Sequence, residues 1–264
     1  MLARQRQAAI LDELRRHGWV RVSALTDLLS VSDMTIRRDL DALAAAGLVE
    51  KVHGGATLVE EHSTDEPGFE AKSFRARVEK EAVAERAAQL VRPGTAIGLT
   101  AGTTTWALAR RLVEVPALTV VTNSIRVADV FHQAGRADQT VVLTGGIRTP
   151  SDALVGPVAV AAVRALHLDL LFMGVHGMDP AAGFTTPNLM EAETNQALAA
   201  AARRLAVVAD HSKWGVVGLA SIVRLDEADV LVTDDLLAEP AREALAERVG
   251  ELLLAPTGRA ERAG

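Results

Sequence analysis

The sequence contains no cysteine, which removes disulfides, thiolate zinc sites and cysteine nucleophiles together and fits a reducing, cytoplasmic setting. A long apolar run is also missing. The longest, Ala153 to Val163, is closed by Asp152 and Arg164 and falls far short of the ~18 residues of a membrane-spanning helix. No membrane association is expected. Met1 to Leu14 interleaves Arg4, Arg6, Asp12 and Glu13 with apolar residues, so the continuous stretch of a secretory signal is absent there. The composition, 49% apolar and 23% charged, lacks the charge excess of disordered chains and supplies enough apolar surface for a core. At one domain per roughly 150 residues, a chain of 264 residues predicts two domains.

The overall charge of −6 is unevenly divided. Residues 1 to 58 carry eight Lys and Arg against seven Asp and Glu, a net of +1, and the remainder is at −7. Only the first segment approaches phosphates without strong repulsion. Between them Val59 to Gly68, VEEHSTDEPG, is acidic, polar and closed by Pro-Gly, the composition of a linker. The expected organisation is a first domain over 1–58, a linker over 59–78, a second domain over 79–255 and a flexible tail over 256–264.

In the first domain Ile10, Leu11 and Leu14 recur at helical spacing before His17-Gly18. A second helix is expected with Ser23 as its cap, Leu25, Leu28 and Leu29 as its buried stripe and Ser30 as its end. After the turn Ser30-Val31-Ser32 a third helix opens with Ser32 as N-cap and Asp33 in its first turn, where a carboxylate suits the helix dipole. Ile36, Leu40 and Leu43 face inward and Gly47 stops it. Met34, Thr35, Arg37 and Arg38 then point elsewhere, near the N-terminal end of a helix packed across another. That is helix-turn-helix geometry, in which such side chains enter the major groove, and arginine forks match guanine edges or phosphates. An isolated arginine pair is more often a solvated face. Three short helices, a tight turn and a following hairpin, Leu48 to Leu58 around Gly54-Gly55, favour double-stranded DNA, with Lys51 and His53 on the hairpin as a wing.

The run SVSDMTIRRDLDALAAAGLVEKVHGGA, Ser30 to Ala56, closely resembles the winged helix-turn-helix of the DeoR family of bacterial transcriptional regulators, whose signature couples V-S-x-x-T-I-R-R-D-L to a later H-G-G-A. Further matches run through the chain: Glu79-Lys80, Gly102-Thr103-Thr104, Thr122-Asn123-Ser124, Gly145-Gly146, Val155-Gly156, Glu191 and Asp210-His211-Ser212-Lys213. The resemblance implies a regulator of sugar metabolism, usually a repressor, whose C-terminal domain senses a phosphorylated metabolite. It also implies an α/β sensor of the ribose-phosphate isomerase and CoA-transferase type. Two departures from the family pattern are Thr100, where many relatives carry Asp, and Ala71, where many carry Arg.

Beyond the resemblance, the second half alternates expected strands (Thr95 to Thr100, Leu118 to Thr122, Thr140 to Thr144, Leu168 to Gly174, Leu205 to Asp210, Val230 to Thr233) with expected helices (Thr104 to Val113, Ile125 to Gln133, Val158 to Leu166, Met190 to Ala202). The strands are apolar on both faces, so a mainly parallel sheet covered on both sides is predicted, with right-handed crossovers. Small and polar residues follow each strand. In an open α/β sheet they converge on the ligand crevice. The segment Gly102 to Thr105 offers backbone N–H groups and three hydroxyls at a helix start, an anion site, and Lys213, one of four lysines, stands ready to neutralise a phosphate. The expected effector contacts are Gly102, Thr103, Thr104, Thr105, Asn123, Gly145, Gly146, His176, Glu191 and Lys213. The histidines lack the spacing of a zinc site, so neither metal nor cofactor is expected. The expected partners are operator DNA, a phosphorylated sugar and further copies of the chain, since two half-sites require at least a dimer. The alternative is a sugar-phosphate isomerase or transferase with a fused DNA-binding head, in which Glu191 moves a proton.

Overall fold

The computed structural model describes residues 3–45, 48–52, 54–58, 64, 66 and 68–258. The chain divides into two compact units: Met1–His62 with Glu70–Arg75, and Ser63–Phe69 with Ala76–Gly264.

The first unit holds α1 (Ala3–His17), β1 (Trp19–Arg21), α2 (Val22–Leu29), α3 (Asp33–Ala45), β2 (Val49–Val52), β3 (Gly55–Leu58) and most of α4 (Phe69–Phe74). Ile10, Leu14, Leu25, Ile36, Leu40 and Leu43 meet in one buried core, as their helical spacing predicts, and Ala71 of α4 joins them. α1 ends at Gly18, whose φ of +74° and N–H to the Leu14 carbonyl, 2.7 Å, close the helix. Two expectations are corrected. The N-cap of α2 is Arg21, not Ser23, because the Val22 N–H is already taken by the Gly54 carbonyl at 2.9 Å and needs no side-chain cap. Leu28, expected in the core, is exposed. Ser30 does end α2, in a left-handed conformation with φ +52°. β2 and β3 form the expected hairpin, and β1 adds to it as a third antiparallel strand. Gly47 and His53 lie outside the described residues.

The second unit is a seven-stranded parallel sheet with helices on both faces. Its elements are α5 (Arg77–Ala88), β4 (Ala96–Leu99), α6 (Thr103–Leu112), β5 (Thr119–Thr122), α7 (Ile125–Ala134), β6 (Thr140–Leu143), the hairpin β7 (Ile147–Arg148) and β8 (Leu154–Val155), α8 (Pro157–Arg164), β9 (Leu170–Gly174), β10 (Gly177–Asp179), β11 (Gly183–Thr186), α9 (Leu189–Ala200), β12 (Leu205–Val208), β13 (Ala220–Val223), β14 (Val230–Asp234), α10 (Glu239–Ala246) and β15 (Leu252–Ala255). On one face Val83, Leu108 and Phe131 of α5, α6 and α7 pack on Ile97, Phe172, Val208 and Val232. On the other, Val163, Leu198 and Leu245 of α8, α9 and α10 pack on Leu171, Val207 and Leu231. Alternate residues of each strand thus feed opposite cores, which is why these strands read as continuous apolar runs. β10, β11 and β13 form a small antiparallel sheet.

The strand order is β15-β14-β12-β9-β4-β5-β6. From β4 the chain steps outward through β5 and β6, then returns to the other side of β4 and continues through β9, β12, β14 and β15. The direction reverses between β4 and β9. At such a reversal the two following loops diverge and leave a crevice beyond the carboxyl ends of the strands.

Candidate functional site

The loop after β4, Thr100 to Gly102, opens directly into α6. Gly102 has φ +155°, and a Cβ there would stand 3.2 Å from the Thr105 hydroxyl oxygen, so glycine leaves room for the turn to close. The Thr105 hydroxyl donates to the Gly102 carbonyl, 3.0 Å. Asn123, fully buried after β5, accepts from the Ala101 N–H at 2.9 Å and donates to the Leu154 carbonyl at 3.3 Å. One amide therefore joins the ends of β4, β5 and β8, and Ala101, Ala153 and Val155 fill the space beneath. Gly146 has φ +123°, and a Cβ there would meet the Val155 carbonyl oxygen at 2.5 Å. Thr103 and Thr104 sit in the first turn of α6, largely buried.

α9 reaches the same edge. Its cap, Asn188, accepts from the N–H groups of Met190 and Glu191 at 3.0 and 3.1 Å, and the Gly156 N–H donates to Thr194 at 3.2 Å. This places Glu191, at the limit of burial, in the first turn beside the β7–β8 hairpin. The structure thus joins Asn123 to the loop after β4 through Ala101, sets Gly146 against Val155 of the same cluster, and holds the start of α9, which carries Glu191, against Gly156. Phe69 packs edge-on against Trp106 of α6, centroids 5.8 Å apart, beneath the Arg126 guanidinium. Glu66 accepts from Ser151 and Asn188, each at 2.8 Å. Glu66 and Phe69, within the stretch expected to be a linker, are therefore held on this rim.

Across the switch point, His176 follows β9 and donates its N–H to the Thr185 carbonyl, 2.9 Å. Lys213 follows β12, two strand spacings from β4, or about 10 Å. Thr100, the departure from the family pattern, accepts the Gly174 N–H at 3.0 Å and so ties β4 to β9. Ala71, the other departure, belongs to the core of the first unit.

A cluster of buried charge that sequence reasoning missed lies beside Lys213. Asp210 follows β12 and Asp234 ends the adjacent β14, and both are at most 1% exposed. Asp234 accepts from the His211 N–H at 2.7 Å, bonds its ring Nδ1 at 2.8 Å and accepts from Leu236 at 3.1 Å. The hydrogen bond to Asp234 outweighs burial and pulls the His211 imidazole above its ordinary value. Asp210 accepts from the Ser212 N–H and hydroxyl, while its Oδ2 has no hydrogen-bond partner among the described residues. Burial pushes this carboxyl up, but the charges of Lys213 and Lys80 with the Ser212 bond hold it below the usual carboxylate range. Lys80 and Glu79 are themselves buried in the first turn of α5. Their signal was the Glu79-Lys80 match, whose partner, Asp210, stands 130 residues further on. Among the described residues no group of three His, Asp or Glu side chains is placed to hold a metal ion, and no helix is long and apolar enough to cross a membrane.

In the first unit Ser32, Met34, Arg37 and Arg38 are exposed around the start of α3, and Thr35 is half-buried beside them. Ser32 accepts the Thr35 N–H at 3.3 Å. Arg37 pairs with Asp33 at 2.5 Å, which raises its pKa. Lys51 on the hairpin pairs with Asp41.

Residues 6–62 match the family model described as the DeoR-like helix-turn-helix domain, and residues 75–235 that of the DeoR C terminal sensor domain. The chain belongs to the DeoR family. Over 97% of this chain and 99% of the relative it is 36% identical to the uncharacterized HTH-type transcriptional regulator YgbI of Escherichia coli K12. It is 32% identical to the putative aga operon transcriptional repressor of Escherichia coli O157:H7, over 95% of this chain and 93% of that one. These DeoR-family names are those of transcriptional regulators, not enzymes. Among solved structures, ribose 5-phosphate isomerase A of Methanocaldococcus jannaschii aligns with 51% of this chain and 53% of its own, at TM-score 0.38 and 18% identity.

Proposed function

We propose that this DeoR-family chain is a cytoplasmic repressor of carbohydrate-metabolism genes that releases operator DNA when a phosphorylated sugar occupies the crevice between β4 and β9. The observation that carries the reading is a strand-order reversal between β4 and β9 with the Gly102–Thr105 helix start directly after β4, and Lys213 follows β12, the strand next to β9. Amide N–H groups and the hydroxyls of Thr103 and Thr104 take the phosphate at the positive end of α6, Gly145 and Gly146 leave room beside it, and Lys213 balances its charge. Glu191 and His176 face the sugar hydroxyls as hydrogen-bond partners. Thr105 and Asn123 contribute through the loop shape that their internal bonds impose. On the DNA side, Ser32, Met34, Thr35, Arg37 and Arg38 line the groove face, and Lys51 approaches the backbone from the wing. The chain acts as at least a dimer, because paired heads read half-sites roughly 34–36 Å apart or a multiple of that.

A thermal-shift panel of sugar phosphates, followed by duplex binding at fixed salt, tests this reading. One sugar phosphate is expected to raise the melting temperature and weaken DNA binding. Arg37→Ala with Arg38→Ala abolishes DNA binding and keeps the shift; Thr104→Val or Lys213→Ala removes the shift. If no phosphorylated sugar moves either readout, the sensor assignment fails. Unchanged duplex affinity in the double arginine variant removes α3 from the interface.

A further inference from the structure

The outward positions of α3 are Met34, Arg37, Arg38, Asp41, Ala42 and Ala45, spaced by three and four residues. Its inward face is fixed in rotation: buried Asp39 accepts from Arg6 at 2.5 and 3.1 Å and from Gln7 at 3.3 Å, both on α1. Much of the polar equipment along the outward stripe is already engaged. Asp33 accepts from Arg37 at 2.5 and 3.4 Å, Lys51 pairs with Asp41, and the hydroxyls of Ser32 and Thr35 are 2.8 Å apart. Met34 is different. It is apolar, 61% exposed, and stands one turn before Arg37 and Arg38 at the end of a recognition helix that meets base edges.

The one methyl group on the major-groove floor is the 5-methyl of thymine, an apolar knob that the other bases lack. A thioether chain has no donor, so it leaves adenine N7 or guanine O6 unpaired, and it covers the cytosine amino group without a strong acceptor; each mismatch desolvates a polar edge without return. Methionine is long and soft enough to follow a methyl group across a groove. We infer that Met34 is a specificity determinant that reads the 5-methyl group of one thymine in each half-site, next to the base pair or phosphate engaged by Arg37 and Arg38. This rests on the DNA-reading role of α3 proposed above.

The test begins with selection of duplexes by the full chain from a randomised library, followed by replacement of each selected thymine with deoxyuridine, which removes only the methyl. One position per half-site is expected to lose about fourfold in affinity, the worth of one buried methyl. The same replacement costs Met34→Ala nothing, Met34→Leu retains the penalty, and 5-methylcytosine at that position recovers part of what cytosine loses. Deoxyuridine indifference at every position, or an equal penalty in Met34→Ala, overturns the inference while leaving α3 as the reading helix. Failure to enrich any duplex overturns the DNA reading itself, and this inference with it.

Discussion

Asp210 and Asp234 show why individual residues in this site carry more than their side-chain chemistry in water. Both carboxylates are buried at strand ends, and the charges of Lys213 and Lys80 hold that of Asp210 below the usual carboxylate range against its burial. Because the imidazole of His211 is pulled up by Asp234, its proton stabilises the fold below the ordinary histidine value, about pH 6.5, and that stabilisation is lost as pH rises through the folded-state value. Calorimetric melting temperatures are therefore expected to fall from about pH 6 to about pH 8 more steeply in the parent chain than in Asp234→Asn. Parallel curves would show that the pair does not titrate with folding. Gly146→Ala tests backbone strain: its positive φ and the 2.5 Å approach to Val155 predict a loss of at least about 1 kcal/mol, read by chemical denaturation. At this scale the sequence exposed which residues follow the strands, since Gly-Thr-Thr, Gly-Gly and Asp-His-Ser-Lys are local runs. It did not expose Lys80 beside Asp210, because nothing local links residues so far apart.

At the scale of elements, helices and strands followed from periodicity wherever one pattern ran long enough. The parallel strands β4, β5, β6, β9 and β12 fall within the expected runs, and β14 extends its run by one residue, to Asp234. β15, α5 and α10 were not anticipated, and neither was β1, whose three residues carry too little pattern to read. The cap of α2 escaped because a carbonyl from the hairpin, distant in sequence, took the amide that a serine was expected to satisfy. Strand order is the element-level fact that makes the site, and composition does not encode it; the reversal between β4 and β9 becomes visible only in three dimensions. Asn123 tests how these ends are held. Asn123→Ala leaves the Ala101 N–H and Leu154 carbonyl without partners, and each orphaned group costs about 1–3 kcal/mol. Denaturation is expected to show that loss together with weaker effector-induced stabilisation, and full stability in this variant would contradict the tie. On the DNA side, Arg38→Ala is expected to flatten the dependence of log affinity on log salt by about one phosphate contact, roughly 0.9 in slope. An unchanged slope places Arg38 away from the backbone.

For the whole molecule, the division of charge that was legible from the start assigns the two tasks: a near-neutral head at +1 and a body at −7, so that duplex attraction falls to the head alone. On the proposed function, a body of that charge would bind a phosphate only through local design, which is why the helix start after β4 and Lys213 would matter more than net potential. The proposed control of one site by the other is a coupling free energy and is reciprocal. The decisive measurement is the affinity for the stabilising sugar phosphate, by titration calorimetry, with and without the selected duplex. The duplex is expected to weaken sugar-phosphate binding by the same factor by which the sugar phosphate weakens duplex binding, in the range of about 5- to 150-fold. Equal sugar-phosphate affinities in the two titrations would contradict it.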